Sequence, residues 1–127
     1  MDVKKKILIV EDDQFLREFY QDLLQSEGYT VEVAGDGDAG LTKALAGGWG
    51  LLLLDLMLPK RDGLQILKEI KVKLAANATG VIVILTNLGQ DAIIKQCLDL
   101  GAAGYLVKSA MNPDQVLTEI HSYLEKA

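Results

Sequence analysis

Continuous apolar runs constrain the fold of this chain more than any other feature. They lie at Ile7 to Val10, Val31 to Ala34, Leu51 to Leu54, Val81 to Leu85 and, in a shorter form, Tyr105 to Val107. We predict that none of these runs alternates apolar with polar residues, as a half-exposed strand would. Continuous runs are typical of parallel sheets that are covered on both faces. The runs therefore predict parallel strands with helices on both sides.

Stretches with helical spacing separate these runs. The second, Asp38 to Ala46, ends in Gly47 and Gly48, and the last opens with Asn112 as a cap and Pro113 in the first helical position. We predict that the first, third, fourth and last helices each turn an apolar stripe towards the core. The stripe of the first helix is Phe15, Leu16, Phe19, Tyr20, Leu23 and Leu24, and that of the third is Leu64, Leu67, Ile70 and Leu74. The stripe of the fourth is Ile93, Ile94, Cys97 and Leu98, and that of the last is Val116, Leu117, Ile120 and Leu124. Strand and helix alternate five times, which predicts a doubly wound α/β sheet with its functional crevice at the carboxyl ends of the strands.

Length and charge narrow the classes of protein that the chain can represent. With 127 residues, 50% of them hydrophobic and 24% charged, we expect one globular domain over residues 1–127. A net charge of -5 disfavours direct nucleic-acid binding, since phosphate backbones select clustered lysine and arginine. The single cysteine, Cys97, can form no internal disulfide, and the first apolar run is too short for an export signal or a membrane span. These features predict a cytoplasmic protein with no membrane or nucleic-acid partner.

Charged and hydroxyl side chains follow most of the predicted strands. The residues at these strand ends are Glu11, Asp12, Asp13, Asp55, Thr86 and Lys108. Carboxylates that converge in a crevice repel one another unless a cation neutralises them, and hard oxygen ligands favour Mg²⁺. The alternative for the first three acids is a capped helix start, because acids stabilise the positive end of a helix.

Asp55 is the most informative of these residues. It is an isolated acid inside the apolar run Leu51 to Leu58, where a carboxylate has no solvated face and needs a partner. An aspartate carboxylate can attack phosphorus to form an acyl phosphate, and such transfer depends mainly on positioning and on charge neutralisation by metal and ammonium groups. Asp55 is thus a candidate phosphoryl acceptor, with Lys108 as the ammonium group.

Four segments of the chain resemble the receiver domains of two-component response regulators. The segment "ILIVEDD" resembles the family's first strand and acidic pair, "LLLLDLMLPKRDGL" its phosphoacceptor strand and loop, and "VIVILT" and "GYLVK" its last two strands. The resemblance extends over essentially the whole chain and keeps the family's order. It implies a flavodoxin-like, doubly wound parallel sheet of strand order 2-1-3-4-5 with five flanking helices.

The resemblance also implies a role for each residue of the site. Asp55 would take a phosphoryl group from a phosphohistidine on a partner protein. The implied ligands of a Mg²⁺ or Mn²⁺ ion are Asp12, Glu11 through a water molecule, Asp55 and the backbone carbonyl of Met57. Asp13 would then be the helix cap.

Three further residues belong to the implied switch. Thr86 and Lys108 would contact the phosphoryl group, and Tyr105 would turn inward when Thr86 moves towards it. This movement would alter the face made by the fourth helix, the fifth strand and the fifth helix. The alternative for Tyr105 is ordinary packing. The implied activity is that of a phosphoacceptor switch, which catalyses only its own phosphorylation and dephosphorylation and is not otherwise an enzyme.

The same resemblance implies the partners. The donor would be a histidine kinase or a histidine phosphotransfer protein. The target would be a downstream effector protein or a covalently linked output domain. A homodimer that forms on the switched face upon phosphorylation is a further expectation.

Two positions depart from the pattern of the family. Lys108 is followed by Ser109, whereas the family's lysine commonly precedes a cis proline, and a cis bond before any other residue costs about 3 kcal/mol. Thr86 is followed by Asn87, where the family prefers a very small residue, and Leu88 is expected to flank the same entrance. We therefore predict restricted access to the site and a slowly hydrolysing aspartyl phosphate.

Three other functions compete with this interpretation. A flavodoxin-like FMN module is disfavoured, because the acids of the first loop would repel a cofactor phosphate. A magnesium-dependent phosphohydrolase would need a second acid two residues after Asp55, and that position is Met57. A degenerate receiver that binds partners without phosphate is the main alternative, because Asn87 and Ser109 depart from the family's pattern.

Overall fold

Strands and helices alternate along the described part of the chain. The computed structural model describes residues 6–74, 80–87, 89–108 and 111–126. Its elements are β1 (Lys6–Val10), α1 (Gln14–Ser26), β2 (Thr30–Ala34), α2 (Gly37–Ala46), β3 (Leu51–Asp55), α3 (Gly63–Lys73), β4 (Val81–Thr86), α4 (Asp91–Asp99), β5 (Gly104–Val107) and α5 (Pro113–Lys126). The predicted strands agree with these bounds to within one residue at each end.

The strands form one parallel sheet in the order β2-β1-β3-β4-β5. The central strand, β3, pairs with β1 on one side and with β4 on the other. The predicted doubly wound α/β fold and its strand order are confirmed. Because all strands run in the same direction, the residues that follow them meet at one edge of the sheet.

Two apolar clusters cover the two faces of the sheet. Leu52 and Leu54 of β3 pack with α2, α3 and α4, while Leu51 and Leu53 pack with α1 and α5. All residues of β3 are buried. Complete burial of one leucine side chain contributes about 1.5–3 kcal/mol before the entropy of ordering is subtracted. This two-sided burial explains why the strand shows no alternation.

One strand departs from the predicted pattern. β2 lies at an edge of the sheet and alternates exposed Thr30 and Glu32 with half-buried Val31 and Val33. The prediction that none of the strands alternates is therefore wrong for β2. The physical reason is that the flanking helices cover an edge strand only in part, so polar residues can occupy its open positions.

Lys43 on α2 contacts the outer side of β2. The Ala34 carbonyl accepts a hydrogen bond from the Glu11 N–H on the β1 side, so the Val33 carbonyl points away from the sheet. Lys43 Nζ donates to this outward carbonyl at 2.7 Å. The charged side chain of Lys43 therefore covers part of the free edge of β2.

The helices bury narrower stripes than their spacing predicts. In α1, Tyr20 and Leu24 are buried, whereas Phe15 and Phe19 are 85% and 39% exposed. In α4, Leu98 is 40% exposed. The prediction of Phe15, Phe19 and Leu98 as core residues is wrong, because a helix that lies on a sheet turns only one narrow face inward.

Within the described residues, no helix combines the length and the apolar character that crossing a bilayer requires.

Two predicted helix caps are confirmed. Asp13 Oδ1 accepts a hydrogen bond from the Leu16 N–H at 3.1 Å, at the start of α1. Asn112 Oδ1 accepts one from the Gln115 N–H at 2.9 Å, and the Gln115 side chain accepts one from the Asn112 N–H at 2.8 Å. The Asp13 carboxylate thus caps the N-terminus of α1.

Candidate functional site

Glu11 and Asp55 lie side by side at the carboxyl edge of the sheet. In the pairing of β1 with β3, Val10 lies opposite Leu54. Glu11 follows Val10 and Asp55 follows Leu54, so the two acids are neighbours. Glu11 and Asp55 are 0% and 1% exposed, whereas Asp12 is exposed. The edge of the sheet therefore has two buried carboxylates and a third that faces solvent.

Lys108 bridges the two buried acids. Its Nζ lies 2.6 Å from Asp55 Oδ2, 2.8 Å from Glu11 Oε1 and 3.0 Å from Glu11 Oε2. The Lys108 side chain is only 10% exposed, so these charges interact more strongly than they would in water. One ammonium group can neutralise one of the two carboxylates. We call Glu11, Asp12, Asp55 and Lys108 the charged half of the site.

Burial and charge shift the pKa values of two members of the charged half. Burial, followed by the hydrogen bond and the charge of Asp55, raises the pKa of Glu11 from 4.5 to about 8, although Lys108 lowers it. Burial lowers the pKa of Lys108, but hydrogen bonds to Asp55 and Glu11 outweigh this effect and leave that pKa raised. Binding of a further positive charge therefore relieves repulsion between the buried carboxylates.

The three acids suit a divalent cation. Glu11, Asp12 and Asp55 each offer a carboxylate oxygen, and these oxygens lie within 4.8 Å of one another. Oxygen donors of this kind, one of them open to water, fit Mg²⁺ or Mn²⁺. Met57 lies beside them, because its backbone N–H donates to Asp55 Oδ1 at 3.1 Å. The ligand role of the Met57 carbonyl stays a prediction.

Arg17 holds the acidic loop, a role that we did not predict from the sequence. Its Nη1 donates to the backbone carbonyls of Glu11 and Asp12, at 2.9 and 3.3 Å. Arg17 lies about one turn into α1, and helical side chains point back towards the start of their helix. An arginine one turn after a cap is a weak signal, since many surface helices have one.

The loop after β3 is tied to α2. The Gly37 N–H donates to the Pro59 carbonyl at 3.0 Å, and a Cβ at Gly37 would overlap the Arg61 carbonyl. Two surface ion pairs join the same elements, Lys60 with Asp36 at 3.4 Å and Arg61 with Asp38 at 3.2 Å. Asp55 therefore precedes a loop with several independent attachments.

Among the described residues, the side chain of Gln90 makes two hydrogen bonds at the junction of β4 and α4. The Thr86 hydroxyl donates to Gln90 Oε1 at 2.6 Å, and the Asn87 N–H donates to the same oxygen at 3.2 Å. Thr86 is buried and Asn87 is exposed. We did not predict Gln90, whose only signal is a polar residue just before α4. We call Thr86, Asn87, Gln90 and Tyr105 the switch half of the site.

Tyr105 lies on β5 with its side chain partly outside the core. It pairs with Ile84, two residues before Thr86, and is 45% exposed. A ring in this position can move without leaving a large cavity in the core. Two other predictions, on Leu88 and on the Lys108-Ser109 peptide, lie outside the described residues.

The sequence matches a known family. A family model described as the response regulator receiver domain matches residues 7–121. The chain belongs to this family. This receiver domain is 41% identical over 115 residues to the transcriptional regulatory protein DltR of Streptococcus agalactiae, with 91% of this chain and 50% of that protein covered. It thus spans about half the length of this curated relative.

Other relatives resemble this receiver domain over more of their own length. It is 35% identical over 123 residues to the chemotaxis protein CheY of Treponema pallidum, with 94% of this chain and 83% of that protein covered. It also superposes on a CheY-like receiver domain protein from Methanospirillum hungatei with a TM-score of 0.84 and 30% identity, covering 95% and 94% of the two chains. Receiver domains act in phosphorelay signalling as switches rather than as enzymes on other substrates.

The receiver fold brings most of the predicted site residues together. Glu11, Asp55 and Lys108 are in direct contact, and Asp12 lies beside them. Thr86 lies at the same edge of the sheet, but its hydroxyl is bonded to Gln90. The proximity of these residues is observed, whereas the role of each one in phosphoryl transfer stays a prediction.

Proposed function

We propose that this receiver domain accepts a phosphoryl group on Asp55 from a phosphohistidine and signals through the face made by α4, β5 and α5. The main support is the position of Lys108 Nζ, 2.6 Å from Asp55 Oδ2, where both side chains are nearly inaccessible to solvent. An ammonium group there stabilises the negative charge that a phosphoryl group brings to the carboxylate.

The transfer forms one bond to phosphorus and breaks another. A carboxylate oxygen of Asp55 forms the new O–P bond, the P–N bond to the donor imidazole breaks, and its electron pair stays on the nitrogen. The Met57 N–H and Lys108 each contact one oxygen of Asp55, so the carboxylate is oriented before the donor arrives. Mg²⁺ or Mn²⁺ held by Glu11, Asp12 and Asp55 would supply charge neutralisation when bound.

The proposed partners are those of a phosphorelay. The donor is a histidine kinase or a histidine phosphotransfer protein, and the target is an effector protein or an output domain of the same polypeptide. Phosphorylation then moves Thr86 and Tyr105 and allows a homodimer to form on the altered face. The cytoplasmic location and the extent of the domain over residues 1–127 stay predictions.

The observations give no support to the alternative of a phosphate-independent module. Such a module could lose its acids or its lysine without consequence, yet Glu11, Asp55 and Lys108 lie together in one crevice. Keeping three charged groups buried is costly unless they are used or fully paired. The contacts therefore favour phosphoryl chemistry over simple docking.

Beryllium fluoride, a mimic of the phosphoryl group, tests the proposal. In the presence of Mg²⁺, isothermal titration calorimetry should detect its binding to the unmodified domain, and Asp55→Asn should abolish it. Asp99→Asn, which changes an exposed acid at the end of α4, is the matched control and should bind normally. Binding that needs no Mg²⁺, or that survives Asp55→Asn, would overturn the proposal and favour the phosphate-independent module.

A further inference from the structure

Gln90 engages the single proton of the Thr86 hydroxyl. The Asn87 N–H can only donate, so the Gln90 atom at 3.2 Å from it must be the amide oxygen. Thr86 Oγ lies 2.6 Å from that same oxygen, which can only accept, so the hydroxyl is the donor. A threonine hydroxyl has one hydrogen to donate. The Asn87 carbonyl also lies 3.0 Å from the hydroxyl, but the Gln90 oxygen is the nearer acceptor, and the one proton cannot serve a further acceptor as well.

A phosphoryl group on Asp55 would compete for that proton. Ionised phosphoryl oxygens are strong acceptors of hydrogen bonds. Asp55 is paired with Leu85 on the neighbouring strand, and Thr86 is the next residue, so the carboxylate and the hydroxyl lie at the same edge of the sheet. Thr86 can therefore donate to a phosphoryl group only after its bond to Gln90 is broken.

We propose that Gln90 is a positioning residue that holds Thr86 in the unphosphorylated arrangement and so lowers the affinity of the site for a phosphoryl group. This inference rests on the proposed function, because it requires a phosphoryl group on Asp55. The Gln90 amide oxygen also accepts a hydrogen bond from the Asn87 N–H, so the same side chain joins the end of β4 to the start of α4. Gln90 acts through Thr86 and takes no part in the chemistry at phosphorus.

Gln90→Met tests this role, because it removes the amide oxygen and keeps a side chain of similar length. Thr86 retains a second acceptor, the Asn87 carbonyl at 3.0 Å, so the variant should fold. Loss of the competing bond should raise the affinity for beryllium fluoride in Mg²⁺ about threefold to tenfold. Gln90→Ala removes the same oxygen and should give a similar gain. Gln96→Met changes an exposed residue of α4 and should leave the affinity unchanged.

A double-mutant cycle with Thr86→Ala distinguishes positioning from a general effect on the loop. In the Thr86→Ala background, Gln90→Met should have no effect, because no hydroxyl remains to be released. A gain that persists in this background, or no gain in the unmodified background, would overturn the role of Gln90 and leave the proposed function intact. If the unmodified domain bound no beryllium fluoride in Mg²⁺, the proposed function would fail and this inference with it.

Discussion

The charged half and the switch half of the site are held by different kinds of contacts. In the charged half, the half-buried Lys108 donates hydrogen bonds to the buried Glu11 and Asp55, and the loop after β3 is attached to α2 at several points. In the switch half, one amide oxygen of Gln90 accepts hydrogen bonds from both the Thr86 hydroxyl and the Asn87 N–H. The first arrangement rests on several charged contacts, whereas in the role proposed for Gln90 a competing acceptor displaces the second.

The largest expected difference between the halves comes from Lys108. Lys108→Met leaves two buried carboxylates without their cation and should lower the free energy of unfolding by about 3 kcal/mol at pH 8 without Mg²⁺. Thr86→Val in the switch half removes one hydroxyl, and Gln90 can then bond to water, so the loss should be about 1 kcal/mol. Urea unfolding measures both, and equal losses would contradict the comparison.

Two glycines provide the next comparison: Gly37 at the start of α2, which contacts the loop after β3, and Gly89 in the loop after β4. Gly37→Ala pushes a methyl group against the Arg61 carbonyl and should lower the free energy of unfolding by about 2 kcal/mol. Gly89→Ala has open space around the new methyl group, so the backbone strain at its φ of 90° should cost only about 1 kcal/mol. Thermal unfolding of both variants is the measurement. A larger loss at Gly89 would mean that the loop after β4 is the more firmly packed one.

The charged half should also respond to pH. Because the pKa of Glu11 is raised from 4.5 to about 8, the folded state binds more protons than the unfolded chain between these values. Without metal, the free energy of unfolding should therefore fall by at least about 1 kcal/mol from about pH 5 to about pH 8. Lys108 stays charged throughout this range, since its pKa is raised above 10.5.

Urea unfolding at several pH values in the presence of a chelator measures this slope. Glu11→Gln should flatten it, and the switch-half variant Gln90→Met should leave it unchanged. A free energy of unfolding that rises across the same range would show that Glu11 is not the group responsible.

The smallest expected effect concerns the lifetime of the aspartyl phosphate. Asn87→Ala opens the entrance to the site and should speed hydrolysis about threefold, which is less than 1 kcal/mol in the barrier. Because Asn87 is exposed, the free energy of unfolding should change by no more than about 0.5 kcal/mol. Decay of the phosphorylated protein in Mg²⁺ is the measurement, with Gln96→Ala as the control. A lifetime of only seconds in the unmodified domain would contradict the predicted slow hydrolysis.

The sheet could be predicted from the sequence because a strand buried on both faces needs continuous apolar residues, as β3 has. The core face of α1 could not be predicted in detail. Phe15 and Phe19 have the same helical spacing as Tyr20 and Leu24, but the position of the helix over the sheet decides which of them are covered. Spacing alone contains no information on that position.

The two halves of the site differ in the same way. Acids and a lysine at the ends of buried strands are unusual, so the charged half could be predicted from Asp55 and its neighbours. Arg17 and Gln90 could not, because polar residues near the start of a helix are common on protein surfaces. Their partners depend on how each loop returns towards its helix, which only the folded chain determines.

Lys43 limits how copies of this domain can aggregate. Its ammonium group donates a hydrogen bond to the outward carbonyl of Val33. Another strand could pair with β2 at this point only by displacing that charged side chain. Charged side chains at the open edge of a sheet are a common means of preventing uncontrolled edge-to-edge growth. Pairing of two domains through the β2 edge is therefore disfavoured, so the homodimer expected on phosphorylation should not form through this edge.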